Sequence, residues 1–269
     1  MTMKSAWFLG VSLMCINLFV FLVQPGGEEF VTLFGSFFTP ICALFGVLGI
    51  IQAVKAFKVM DNAKKLWIWL LAGIGCFFIA DTTYGIMESV LGIDMDETFP
   101  SIADIFYIAA YIPIGISMYG FRNNFLKSGM PLGKWKQILI PVFSILALIF
   151  TGAILSIFLP IIADQDTELL PKIVYMVYPL GDFIILIPAL IMVYLMSLFG
   201  KGIFSKPWQL IATGYTIADL IYAYISWSGS YSSGSFIDFG WNIAYILIAI
   251  GGIYQKNIIA PSKSEGGAQ

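Results

Sequence analysis

The sequence predicts an all-α integral membrane protein: eight transmembrane helices forming two parallel four-helix repeats in a single bundle over residues 1–255. Four observations predict it. The chain is 59% hydrophobic, and 11% of its residues are charged where a soluble domain carries roughly 25%. Apolar runs of about 20 residues recur, the length that crosses a hydrocarbon core of roughly 30 Å. If every run crosses once, all of the fourteen basic residues except Lys172 fall on one side, and Glu28, Glu29, Asp94, Asp96, Glu97, Asp164, Asp166 and Glu168 fall on the other. By the positive-inside rule both termini are then cytoplasmic in a multi-pass protein of the cell membrane. Finally, the second half repeats motifs of the first in the same order.

The apolar runs lie near 5–23, 30–57, 66–91, 101–121, 136–161, 171–199, 208–228 and 236–255. The first follows Lys4 and lacks a small-x-small cleavage site before Gln24-Pro25-Gly26-Gly27, so it reads as a spanning helix and not a signal peptide. Pro40 in the second run stands 29 residues before Trp69, and Pro179 in the sixth stands 29 before Trp208; each proline is mid-segment, where it removes a backbone hydrogen bond. Ala80-Asp81-x-x-Tyr84 in the third run returns as Ala218-Asp219-x-x-Tyr222 in the seventh. Ser101-x-x-Asp104-x-x-Tyr107-x-x-x-Tyr111 returns as Ser235-x-x-Asp238-x-x-Trp241-x-x-x-Tyr245. The repeats therefore span about 5–121 and 136–255. Four crossings each give both halves one orientation, with a pseudo-two-fold axis along the membrane normal. Trp7, Trp67, Trp69 and Trp208 at segment ends read as interfacial anchors. The polar, Gly/Ser-rich end of the chain, 256–269, reads as a disordered cytoplasmic tail.

Several chemistries are excluded by composition. The chain has no histidine, which removes His-ligated haem, the common zinc-hydrolase sites and Ser-His or Cys-His nucleophiles. Cys15, Cys42 and Cys76 are too far apart for a CxxC motif and read as packing residues. The net charge of −2 argues against a nucleic-acid partner. No nucleophile–base pair, metal cluster or cofactor motif is visible, so the sequence gives no sign of an enzyme and implies no cofactor.

What stands out is acid at membrane depth, where a charged side chain is expensive and is a functional candidate by default. Asp182 lies about 15 Å from the outer start of its helix at 1.5 Å per residue, and Asp219 is also near the midplane. Asp81 lies in the outer half with Glu88 two turns further out; Asp104 and Asp238 lie near the outer mouth. Tyrosine and tryptophan accompany them: Asp81 with Tyr84, Asp219 with Tyr222, Asp104 with Tyr107 and Tyr111, and Asp238 with Trp241 and Tyr245 share helix faces by i, i+3, i+7 spacing. Tyr178 and Asp182 sit one turn apart beside Pro179. Carboxylates walled by aromatic rings suit a small cation, proton or amine. The structural alternatives are specific too. Ser101/Asp104 and Ser235/Asp238 resemble capping boxes at helix starts, Glu88 can reach the interface, and Asp81 and Asp219 can serve as protonated acids joining helices. Leu180-Gly181-Asp182 followed by Pro188-Ala189-Leu190 has pieces of an intramembrane aspartyl hydrolase of the presenilin type. Here Pro179 replaces the first glycine, no Tyr-Asp helix precedes, and Pro-Ala-Leu lies on the same helix, so that reading is remote.

Taken in order, Ala80-Asp81-x-x-Tyr84, Pro100-Ser101-x-Ala103-Asp104-x-x-Tyr107-x-x-x-Tyr111, Tyr178-Pro179-x-Gly181-Asp182, Ala218-Asp219-x-x-Tyr222 and Asp238-x-x-Trp241-x-x-x-Tyr245 resemble a multi-helix membrane input module. That module stands at the N-terminus of many bacterial and archaeal diguanylate cyclases and sensor histidine kinases, and the resemblance covers roughly residues 30–255. It implies a prokaryotic protein that receives a signal within the membrane. No GGDEF, EAL or kinase domain follows the eighth run, so the signal would pass to a separate cytoplasmic signalling protein. The expected function is thus a stand-alone sensory or ligand-binding membrane protein with an outward-facing acidic, aromatic pocket; the alternative is a small proton- or cation-coupled transporter or channel.

Overall fold

The computed structural model describes residues 1–95, 98–127, 135–199, 213–214 and 236–260, and the described residues are helical with no strand. α1 spans Met3–Val23, α2 Gly27–Ala56, α3 Asn62–Ser89, α4 Ile102–Lys127, α5 Trp135–Ala153, α6 Leu159–Ala163, α7 Leu169–Phe199 and α8 Phe236–Ile259. Seven helices among the described residues are long and apolar enough to cross a membrane. Apart from residues 213–214, the expected span at 208–228, with Asp219 and Tyr222, lies outside the described residues, as do the expected tail beyond residue 260 and Trp208.

Helix ends follow local chemistry. Thr2 and Ser5 form a reciprocal capping box at the start of α1. α1 stops at Gln24 in the left-handed region (φ 48°), and Gly26 (φ 84°) and Gly27 (φ 79°) complete a turn that a β-carbon would strain. Glu28 and Glu29 then sit in the first turn of α2, where the helix dipole favours anions. Asp61 caps α3 by accepting from the Lys64 N–H at 2.7 Å. Between α5 and α6 the chain runs as π-helix over Ile154–Phe158. Pro160 explains the change of register: it has no N–H for the carbonyl of Ser156, and its ring crowds that carbonyl.

The packing order runs α5–α7–α4–α3–α2–α8–α1, with the most extensive contacts between α2 and α8, α3 and α4, and α2 and α3. One core, built from Ile50, Trp67, Leu70, Ile74, Ile114, Met118, Ile185 and Met192, joins α2, α3, α4 and α7. Another, with Ala6, Phe38, Cys42, Tyr245, Ala249 and Ile253, joins α1, α2 and α8. Trp67 corrects the sequence expectation. It is 1% exposed and packs edge-on against Phe121 at 5.9 Å, so it is a core residue and not an interfacial anchor. Trp7 and Trp69 stay exposed. Large apolar side chains, among them Phe8, Leu22, Ile112 and Leu148, are exposed on the outside, a surface compatible with lipid.

Small residues set the closest approaches. A β-carbon on Gly49 of α2 would lie 2.4 Å from the Ala249 carbonyl oxygen of α8, and one on Gly252 would lie 2.5 Å from the Gly49 oxygen. These two backbones touch directly. At one end of the bundle the Met1 amine donates to Gln52 of α2 and Lys256 of α8 donates to the Met1 carbonyl. Asn62 of α3 and Asn124 of α4 pair at 3.1 Å in the same way.

The turn between α6 and α7 carries a titration outside the spans. The Asp164 carboxyl accepts from the Thr167 hydroxyl and from the Asp166 N–H at 2.8 Å, and Lys172 donates to the Asp164 carbonyl. The Thr167 bond first, then the Asp166 amide, hold the Asp164 carboxyl below the usual carboxylate range. A depressed folded-state value means that this turn is stabilised at pH above the unfolded-state value of about 3.9 and loses that contribution as the pH falls through the folded one. In an acid titration followed by NMR, the Asp166 amide should move with a midpoint under about 3.9, and Thr167→Ala should bring the midpoint up toward it. A wild-type midpoint at or above the ordinary value would contradict the assignment.

Candidate functional site

α4 carries the site. Asp104, Tyr107 and Tyr111 follow one another at i, i+3 and i+7, so they descend one face of the helix by about 10 Å at 1.5 Å per residue. The sequence placed these residues in one row; the structure shows that the row bonds to two other helices, Tyr107 to α3 and both Tyr111 and Asp104 to α7. Tyr107 donates to Asp81 Oδ1 of α3 at 2.6 Å. Tyr111 donates to Asp182 Oδ1 of α7 at 2.5 Å. Asp104 Oδ1 accepts from Tyr178 of α7. Tyr245 of α8 completes the set by donating to Asp81 Oδ2 at 2.8 Å. Asp81, Asp104 and Asp182 are buried, and the groups that donate to them here are phenol hydroxyls together with the Ser101 groups described below, none of them a cation.

The aromatic rings run continuously between these acids. Phe77 lies 6.1 Å from Tyr107 and 6.4 Å, edge-on, from Tyr111; Tyr107 lies 6.5 Å from Tyr178. Gly181 lets α7 approach the Tyr111 ring, because a β-carbon there would come within 2.7 Å of three ring carbons. That approach puts the next residue, Asp182, within reach of the Tyr111 hydroxyl.

Asp104 does two jobs. Its Oδ2 accepts from the Ser101 N–H at 2.5 Å and the Ser101 hydroxyl at 2.9 Å, while the Ser101 oxygen accepts from the Ala103 N–H at 3.2 Å. The expected Ser101/Asp104 cap is therefore present at α4 in a variant form, the serine accepting from the second helical N–H and Asp104 from the Ser101 N–H, and the same carboxylate also holds Tyr178. With three donors, Asp104 is the best satisfied of the acids. Asp81 has two donors, one on each oxygen. Asp182 has one; its Oδ2 is buried with no hydrogen-bond partner.

Glu88 accepts from Ser36 of α2 at 2.5 Å, so it joins α2 to α3. Nothing in the sequence reading had singled out Ser36. Its carbonyl, which Pro40 four residues later cannot bond, lies over Gly85, where a β-carbon would stand 2.2 Å from the oxygen. A mid-helix proline four residues after a serine, facing a glycine one turn from a glutamate, is the signal that marks this contact. Tyr84 is half-buried on α3, and Asp81 takes its hydroxyl donors from α4 and α8. Asp238 is buried in the first turn of α8, and Trp241 packs half-buried on the core shared by α1, α2 and α8. Asn17 of α1 and Asn242 of α8, which the sequence did not single out, are buried with Asn17 Nδ2 and Asn242 Oδ1 unpartnered. No group of three His, Cys, Asp or Glu capable of holding a metal ion occurs among the described residues.

No family model, curated protein or solved structure matches this chain.

Proposed function

We propose that the chain is a membrane sensory or ligand-binding protein whose site is the tyrosine–carboxylate network of α3, α4, α7 and α8. The ligand is a proton, a small cation or an amine, bound by Asp81 and Asp182 together with Asp219. Its binding shifts the helices that the network ties together, and a separate cytoplasmic signalling protein reads the shift. One observation carries this reading: buried carboxylates are held across helix interfaces by phenol hydroxyls, with no cation among those partners. A hydroxyl bond is readily exchanged for a bond to a positive ligand, and each exchange frees one helix from another.

The proposal includes eight spans in two parallel repeats. Exchanging the halves of the chain converts the α4–α7 contact into the α8–α2 contact, and both are present, which supports a pseudo-two-fold arrangement. Gathering of Met1, Gln52, Lys64 and Lys256 at one end supports a basic, cytoplasmic end with the acidic loops outside.

The test is thermal stability of the purified protein across pH and a panel of metal cations and amines, for wild type and for Asp81→Asn, Asp182→Asn and Asp219→Asn. A ligand at 100 times its Kd stabilises the folded state by about 2.7 kcal/mol. We expect one ligand of the panel to do so in wild type and to lose that effect in the variants. A wild type indifferent to every condition would make these acids structural and end the proposal. Ion flux in proteoliposomes that depends on the same acids would replace the sensor by a transporter.

A further inference from the structure

We infer that Asp182 is a proton-binding site whose carboxyl carries a proton on Oδ2 while α4 and α7 are packed together. The inference rests on the reading of Asp182 as part of the ligand site and narrows its ligand to the proton. Two geometric facts carry it. Asp182 is 7% exposed, and Oδ2 has no hydrogen-bond donor. Less than 1 Å² of that oxygen is accessible, so nothing the size of a water molecule touches it. A metal cation or an ammonium group must make direct contact with the oxygen that binds it, and both are larger than the space left. A proton needs no space.

The charge argument points the same way. An ionised carboxylate at this depth with one phenol donor would leave half of its charge unsolvated, whereas Asp104 collects three donors and Asp81 two. A neutral carboxyl keeps the existing bond, because Tyr111 donates to Oδ1, the carbonyl oxygen of the protonated form. Around Asp182, α4 presents Tyr111 directly, α7 itself carries Tyr178, bonded to Asp104 of α4, about one turn toward its own start, and α3 brings Asp81 on Tyr107. α5 from Ile140 onward and α6 contain no ionisable residue, and Lys172, the basic residue of α7, is drawn to the Asp164 carbonyl in the loop. No positive charge among these groups substitutes for the proton.

Loading balances simply. When α4 and α7 part, a hydronium ion transfers a proton to the carboxylate and leaves as water; the new O–H bond is on Oδ2, and Tyr111 retains its own hydrogen. Loss of the proton recreates an anion that the closed interface cannot solvate, so water must enter and the α4–α7 contact loosens. Asp182 thereby converts a proton into a helix displacement.

Infrared spectroscopy tests this, since the carbonyl stretch of a protonated carboxyl is separate from carboxylate absorption. Wild type at neutral pH should show such a band. It should vanish in Asp182→Asn, a neutral isostere that preserves packing, persist in Asp81→Asn, and move to higher frequency in Tyr111→Phe as the bond to Oδ1 is lost. A wild type without the band, or a band unchanged in Asp182→Asn, overturns the inference. If the band is absent while an amine or metal ion stabilises the protein through Asp182, the proton falls and the ligand-binding reading stands. If the band is present and lost in Asp182→Asn, but no change of pH, cation or amine alters stability, the proton site stands and the sensory reading falls.

Discussion

Gly49→Ala should destabilise the protein by about 1–3 kcal/mol and Gly49→Leu by more, the range of overpacking in a close-packed interior. Alanine normally gains about 1 kcal/mol over glycine inside a helix, so the sign itself is informative. At Gly49 the new β-carbon would come within 2.4–2.8 Å of the backbone oxygen, α-carbon and carbonyl carbon of Ala249. Backbone cannot rotate away as a side chain can, so α2 and α8 must separate along their most extensive contact. Gly75 of α3 is the control, because a β-carbon there has nothing within 4 Å. Gly75→Ala should be neutral or mildly stabilising. Reversible unfolding in detergent or bicelles measures both, and equal effects at the two positions would show that α2 and α8 are not in direct backbone contact.

Trp67→Ala should cost about 3–5 kcal/mol, the usual price of deleting a fully buried large aromatic side chain. The indole is 1% exposed and packs against Phe121 within the core that joins α2, α3, α4 and α7. Its neighbours are fixed from both sides: the Ser117 hydroxyl of α4 donates to the Leu66 carbonyl at 2.9 Å, and Leu66 itself fills the notch at Gly120. The surroundings therefore have little freedom to collapse into the cavity. Trp69→Ala, two residues on and exposed to the lipid side, should change stability by about 0.5 kcal/mol or less. Similar losses for the two variants in the same unfolding assay would count against the buried position of Trp67.

The pair of tryptophans shows what the sequence can and cannot convey. Hydropathy and run length locate apolar helices because every backbone polar group in lipid must be satisfied within its own helix, and so the seven long apolar helices among the described residues were legible. Trp67 and Trp69 stand at the same depth, however, and only the identity of the neighbouring helix separates core from lipid. When both outside and inside are apolar, the periodicity that marks a buried face in water is nearly erased. The acids were legible for the opposite reason: a carboxyl at depth is conspicuous against that background. Their partners were not. Tyr107 and Tyr111 were read as companions of Asp104 on one helix, whereas they bond to Asp81 and Asp182 of two others. Spacing along α4 fixes the row, but which helices flank it is a tertiary fact. Ser36, Asn17 and Asn242 escaped notice because one serine or asparagine in an apolar run is common and acquires meaning only from what faces it.

The contact of Gly49 with Ala249 also bears on how the protein is made. The two residues are 200 positions apart in the chain, and a ribosome adding about 5–20 residues per second needs roughly 10–40 seconds to bridge them. During that interval α1 and α2 exist without α8, and the groove that α8 fills on α2 is still open. Cellular quality control would meet this half-assembled state before the native one. Substitutions in the groove should therefore lower the yield of mature protein in cells more than the equilibrium loss of stability alone would suggest.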